Sequence, residues 1–195
     1  MIILIFVGDE MESKAEKQKV KELGTKKESR LVYEGHSLDL RVDTFVVEGR
    51  RKVTEVVQKS GAVVVVAMDA LGQILLIRQW RRSLGKIMIE LPAGTMDEGE
   101  DPVVSAQREL QEETGFWAGS LEAVGGFYPA PSYSNDYLHL FFAKDLEKKP
   151  LPQDDDEGID LTPMSISTAL ELVENGTIID AKSIIGILRC AKYFT

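Results

Sequence analysis

The residues able to do chemistry are concentrated in one stretch. Gly94 is followed by five residues and Glu100, then by seven more and the run Arg108-Glu109-Leu110-Gln111-Glu112-Glu113-Thr114-Gly115-Phe116. Helical periodicity from Pro102 to Thr114 predicts a helix, with Asp101 as N-cap, Pro102 at its first position and Gly115 as its stop. At about 100° per residue, Val103, Ala106 and Leu110 form the predicted buried stripe. Glu109 and Glu113 fall on its borders. Glu112 lies further out, four residues beyond Arg108, where the two side chains could pair and brace the helix. Carboxylates four residues apart repel by about 0.2–0.5 kcal/mol, and by more when partly buried, so Glu109 and Glu113 require either full exposure or a cation. Oxygen ligands favour a hard divalent ion, and magnesium is commonly shared between carboxylates and substrate phosphate oxygens. The chemistry these groups suggest is phosphoryl or nucleotidyl chemistry.

The same segment resembles the Nudix box, G-x5-E-x7-R-E-U-x-E-E-x-G-U with U aliphatic or aromatic, at every fixed position. Chance agreement at one start is on the order of 10⁻⁹. Neither a phosphate-binding G-x-x-x-x-G-K loop nor a G-x-S-x-G elbow is present, which argues against kinase and serine hydrolase readings. The resemblance implies an α+β Nudix fold, a mixed β-sheet sandwiched between helices, over roughly residues 59–195. It also implies hydrolysis of a nucleoside diphosphate linked to another group, with Mg²⁺, or Mn²⁺ in its place, offsetting negative charge. Carried over by position, Glu109, Glu112 and Glu113 become metal carboxylates, and Glu112 also counts among the catalytic residues. Glu100 and Arg108 become partners that position the box.

Flanking residues are similar to the ADP-ribose pyrophosphatase group: Arg78-Gln79-Trp80-Arg81, Glu90-Leu91-Pro92-Ala93-Gly94, and Ile179-Asp180-Ala181-Lys182. That similarity makes the Ala93 carbonyl a metal ligand. It aligns the acidic run Asp154-Asp155-Asp156-Glu157 with a loop supplying a distal ligand, Glu157, and a water-activating carboxylate, Asp155. Asp155 is shorter than the usual Glu, so the loop must approach more closely or Asp156 or Glu157 takes the role. An EF-hand register fails, because Gly158 at loop position six puts Met164 at position twelve. Substrate contacts carried over in the same way are Arg81 on the diphosphate, with Glu55, Lys59 and Asp136 as further polar contacts. The implied reaction splits ADP-ribose or a related nucleoside diphosphate sugar into AMP and a sugar phosphate. GDP-mannose or NADH hydrolysis, or a non-catalytic module that senses nucleotide sugars, are the alternatives.

The surrounding elements must hold these groups in place. At 195 residues, with 44% hydrophobic and 28% charged residues, the chain has globular composition and can own a core. Its net charge of −9 argues against a nucleic-acid partner, and the apolar opening Met1 to Val7 is too short for a membrane span. This opening is read as an edge strand or extended start. One cysteine, Cys190, cannot form an internal disulfide and is read as a buried helix residue, so the cytoplasm is the expected compartment.

Residues 13–28, rich in Lys and Glu, are expected as an exposed helix or a disordered arm. Antiparallel strands are expected over Arg30–Val47 and Lys52–Gln58. Residues 1–58 thus form an N-terminal extension, assigned by family analogy to substrate contacts and a homodimer interface. Within residues 59–195, Ala62–Met68 and Gln73–Trp80 are read as a hairpin at the centre of the sheet. Further strands are expected at Ile87–Leu91, Leu121–Phe127 and Tyr137–Ala143, and helices from about Ser167 and Asp180. Tyr33, Phe45 and Trp80 are read as strand core residues in preference to base-stacking groups.

Overall fold

The computed structural model describes residues 13–25, 27–152 and 158–194, and the chain divides into two compact units, Met1–Gln58 and Lys59–Thr195. The first seven residues lie outside the described ones. In the first unit, helix α1 (Lys14–Leu23) is capped by the Ser13 hydroxyl, which accepts the Glu16 N–H at 3.1 Å. It buries none of its residues, as its Lys- and Glu-rich composition requires. Strands β1 (Lys27–Glu34), β2 (Asp39–Val47) and β3 (Arg50–Gln58) form an antiparallel sheet in that order. Tyr33 is exposed on the edge strand β1 and not in a core, since every residue of β1 faces solvent.

The second unit contains, in chain order, β4 (Ala62–Ala67), β5 (Ile74–Arg81), β6 (Lys86–Glu90), β7 (Ala93–Thr95), α2 (Pro102–Thr114), β8 (Phe116–Phe127), β9 (Leu138–Lys148), β10 (Ile159–Met164), α3 (Ile166–Glu174) and α4 (Ala181–Cys190). A 3-10 turn over Ala191–Phe194 follows. Strand β4 lies between β7 and β9, parallel to β9 and antiparallel to β7, in a mixed sheet of order β7-β4-β9-β8. Its valines are apolar on both sides because both sides are covered. Val63 and Val65 pack with Ala106 and Leu110 of α2, while Val64 and Val66 pack with Ile187 of α4 and Ala169 of α3. Each buried valine, leucine or isoleucine among them contributes about 1.5–3 kcal/mol. Gly186 permits the close approach of α4: a Cβ there would lie 2.4 Å from Leu91 Cδ1.

Strand β5 does not pair with β4 as a hairpin. The Asp69–Gly72 turn forms, but beyond one isolated bridge, Met68 to Ile74, the chain leaves the first sheet. β5 becomes the middle strand of a separate antiparallel sheet of order β10-β5-β6. Each apolar strand is therefore central to a different sheet. β5 also ends on an open face, so Trp80 is half exposed and not a core residue. Strands β7 and β10 were not expected from the sequence.

Candidate active site

Helix α2 starts and stops where its local sequence dictates. The Asp101 carboxylate accepts the Val103 N–H at 2.8 Å, Pro102 occupies the first turn, and Gly115 at φ 78 ends the helix by donating its N–H to Gln111 O at 3.0 Å. Ala106 and Leu110 are fully buried, but Val103, in the first turn, is half exposed, contrary to the predicted stripe. The buried face carries carboxylates as well. Glu109 is 9% exposed and Glu113 4%.

Both carboxylates are directed at the backbone of β7. The Ala93 N–H donates to Glu113 Oε2 at 2.8 Å. The Glu109 carboxyl lies against Gly94, in space a side chain would fill: a Cβ on Gly94 would sit 1.9 Å from Glu109 Cδ. Pairing of β7 with β4 and the Val65 N–H to Pro92 O bond at 2.9 Å hold this segment on the sheet. Ala93, Glu109 and Glu113 are thus brought together from two elements.

Glu112 faces the outer side, where Arg108 organises the carboxylates. Arg108 Nη1 donates to Glu109 Oε1 at 2.6 Å and to Glu112 Oε2 at 3.0 Å, so the expected helix brace forms but is shared. Its Nε and Nη2 donate to Glu100 at 3.2 and 3.0 Å, and Nη2 also reaches Thr95 O and Ser105 Oγ, each at 3.3 Å. The Arg108 hydrogen bonds hold the Glu100 carboxyl down to about 2, against the opposing effect of burial. The Arg108 pKa is raised, first by its bond to Glu100.

Carboxylate oxygens suit a hard cation by their chemistry, and the Arg108 guanidinium already pairs with two of them, Glu109 and Glu112. Among the described residues no three His, Cys, Asp or Glu side chains gather around one point as a metal cluster. Asp155 and Glu157, with the rest of residues 153–157, lie outside the described residues.

Arg81, at the end of β5, is 36% exposed at its side chain and pairs with Glu90, which is 2% exposed. Burial pushes the Glu90 carboxyl up, but Arg81 and then Lys182 outweigh it and hold it below the usual range. Glu90 and Lys182 stand in the motifs flanking the box, where the sequence gives neither a role. Their signal was available, since a charged residue inside an otherwise apolar strand such as Ile87-Met88-Ile89-Glu90-Leu91 requires a partner. Lys59 and Asp136 meet each other at 3.5 Å, and the Lys59 N–H donates to Asn135 Oδ1 at 3.0 Å. Asp136 Oδ1 is buried and accepts no hydrogen bond from the described residues. Glu55 belongs to the first unit, where it is exposed on β3 opposite Val42.

Residues 58–184 match the family model described as NUDIX domain. A protein of Bacillus subtilis named ADP-ribose pyrophosphatase is 36% identical over 157 residues, covering 78% of this chain and 84% of its own. A protein of Bacillus methanolicus named methanol dehydrogenase activator is 35% identical over 159 residues, covering 80% and 86%. A solved structure described as an ADP compounds hydrolase superposes with a TM-score of 0.76 at 22% identity, over 87% of this chain and 93% of that one. No helix among the described residues is long and apolar enough to cross a membrane.

Proposed function

The chain belongs to the NUDIX domain family, and from that premise we propose that it hydrolyses the pyrophosphate of ADP-ribose or a close nucleoside diphosphate sugar, giving AMP and a sugar phosphate. The observation that carries this reading is the convergence of the buried Glu109 and Glu113 carboxylates on the Ala93–Gly94 backbone. The name of the Bacillus subtilis relative supplies the substrate class.

In this reading Glu109, Glu112, Glu113 and the Ala93 carbonyl hold a divalent ion, Mg²⁺ or Mn²⁺, with Glu157 as a further ligand. When bound, the ion supplies Lewis-acid charge and lowers the pKa of coordinated water. Arg108 holds Glu109 and Glu112 in place and fixes Glu100 on the far side of the loop. The Arg81 fork binds diphosphate oxygens. Asp136, with one oxygen engaged by Lys59 and the other unpartnered among the described residues, accepts a hydroxyl donor of the sugar. Asp155 serves as the base, and Glu55 on the N-terminal unit is a further substrate contact.

We assign residues 1–58 to dimerisation and residues 59–195 to hydrolysis, and place the protein in the cytoplasm as a homodimer. Light scattering that gives a concentration-independent monomer mass would count against the dimer.

The activity is tested with a panel of ADP-ribose, GDP-mannose and NADH in the presence of Mg²⁺ or Mn²⁺, with products identified by phosphorus NMR. AMP and a sugar phosphate from ADP-ribose are expected. Binding of ADP-ribose without product would refute hydrolysis. It would favour a non-catalytic module that senses nucleotide sugars.

A further inference from the structure

Three elements meet at one buried carboxylate. Arg81 ends β5, Glu90 ends β6, and Lys182 lies in the first turn of α4, 92 residues further along the chain than Glu90. Arg81 Nε donates to Glu90 Oε1 at 2.7 Å and Nη2 to Oε2 at 2.5 Å, while Lys182 Nζ bonds the same Oε2. Lys182 also bonds Asp180 at 2.9 Å. The same Asp180 oxygen caps α4 by accepting the Ser183 N–H at 3.0 Å. Ser183 Oγ accepts the Leu91 N–H at 2.7 Å. The turn that leads to Ala93 is therefore tied to α4 twice, by side chain and by backbone.

The register makes the Arg81 geometry informative. Arg81 stands opposite Lys86 and Glu90 opposite Ile77, with the Gln79–Met88 pair between them. To reach Glu90, Arg81 folds back along the sheet past that pair instead of extending into water. Ordering a long side chain in this way costs rotamer entropy, so the bidentate bond fixes a direction as well as a charge. The bond uses Nε–H and one Nη2–H. Among the described residues, both Nη1 hydrogens and the second Nη2 hydrogen remain for a ligand, a fork suited to phosphate oxygens. Lys182 holds the Glu90 oxygen that Arg81 Nη2 also bonds, so it anchors the carboxylate to α4 when the arginine is pulled by a ligand.

We propose that Glu90 and Lys182 are positioning residues: α4, through Lys182, fixes the Glu90 carboxylate, and Glu90 presents the free edge of Arg81 to the substrate diphosphate. This rests on the reading that Arg81 binds the diphosphate. It differs from a purely structural role in acting through Arg81, which a double-mutant cycle detects.

The probe is an ADP-ribose analogue with a methylene group in place of the bridging oxygen, titrated calorimetrically with Mg²⁺ present. Glu90→Gln is expected to weaken binding about 10-fold and Lys182→Met about 5-fold. On an Arg81→Ala background both changes shrink to less than twofold. Equal losses on both backgrounds, or no loss in either single variant, overturn the proposal. Should Glu90→Gln lack a cooperative thermal transition, Lys182→Met, at the less buried partner of the pair (13% exposed against 2% for Glu90), carries the same cycle. Turnover of ADP-ribose by the unchanged protein is measured separately. A protein that binds the analogue but splits no nucleotide sugar refutes the activity while the cycle still decides this inference; one that does not bind the analogue overturns both.

Discussion

A methyl group at Gly94 cannot coexist with Glu109 in its present position. On the native backbone, the Cβ of Gly94→Ala would lie 1.9 Å from Glu109 Cδ and 2.1 Å from each carboxylate oxygen. Carbon–carbon contacts settle at about 3.5–4.0 Å, so the carboxyl must retreat by about 1.6 Å. Gly94 does not occupy the left-handed region, so alanine brings no backbone strain. The obstacle is the end of a flexible side chain, which sets the stability cost near the low end of overpacking, about 1 kcal/mol, or about 2–4 °C in Tm. Function is less forgiving, because metal–ligand distances tolerate only about 0.2 Å. We expect kcat/KM for ADP-ribose to fall about 100-fold, equivalent to about 2.7 kcal/mol of barrier, and half-maximal activity to require more Mg²⁺. Steady-state kinetics across a magnesium titration, alongside thermal unfolding, separates the two effects. A variant with native Tm, kcat/KM within threefold of the unchanged protein and the same magnesium dependence would show that the Glu109–Gly94 contact does not serve catalysis.

Glu113→Gln keeps an acceptor for the Ala93 N–H while removing the charge. It should lower kcat at least about 100-fold with a native circular dichroism spectrum, and unchanged turnover would remove Glu113 from the metal set. Glu100 has a folded pKa of about 2 against an ordinary 4.5, so its stabilising contribution is full above about 4.5 and is lost as pH falls toward 2. Glu100→Gln should therefore cost about 1 kcal/mol at neutral pH, a figure reduced for the partial exposure of Arg108, and should make urea stability less steep between pH 4.5 and 2. An unchanged slope would refute the pairing energy. Cys190 is fully buried, and burial pushes its thiol up to about 11, so a disulfide reagent at pH 8 should label it only as fast as the protein opens. A stoichiometric burst with folded protein would contradict that burial.

Local rules made the site helix legible. The cap at Asp101, Pro102, the 3.6-residue period and Gly115 act within one or two turns, and α2 spans Pro102–Thr114 as they require. Burial of β4 on both faces was readable from its valines, because a continuous apolar run has no polar face to give to water. Partner choice was not readable. The Asp69–Gly72 turn looked like a hairpin turn, yet β4 found β7 and β9 while β5 found β6 and β10. β10 was concealed by Pro163, a residue tolerated there because the strand lies at the sheet edge. β7, at three residues, is too short to show a period.

The amino-acid order alone thus determined helix α2, its acidic face and the match to the family's motif, since those depend on residues within a few turns of one another. Tertiary structure decided which backbone those carboxylates meet and which carboxylate holds Arg81. Glu113 reaches Ala93 across 20 residues of chain, and Lys182 reaches Glu90 across 92. Contacts over such separations follow from how strands pair and helices dock, so they arise only when the buried faces of α2, the sheets and α4 close on one another.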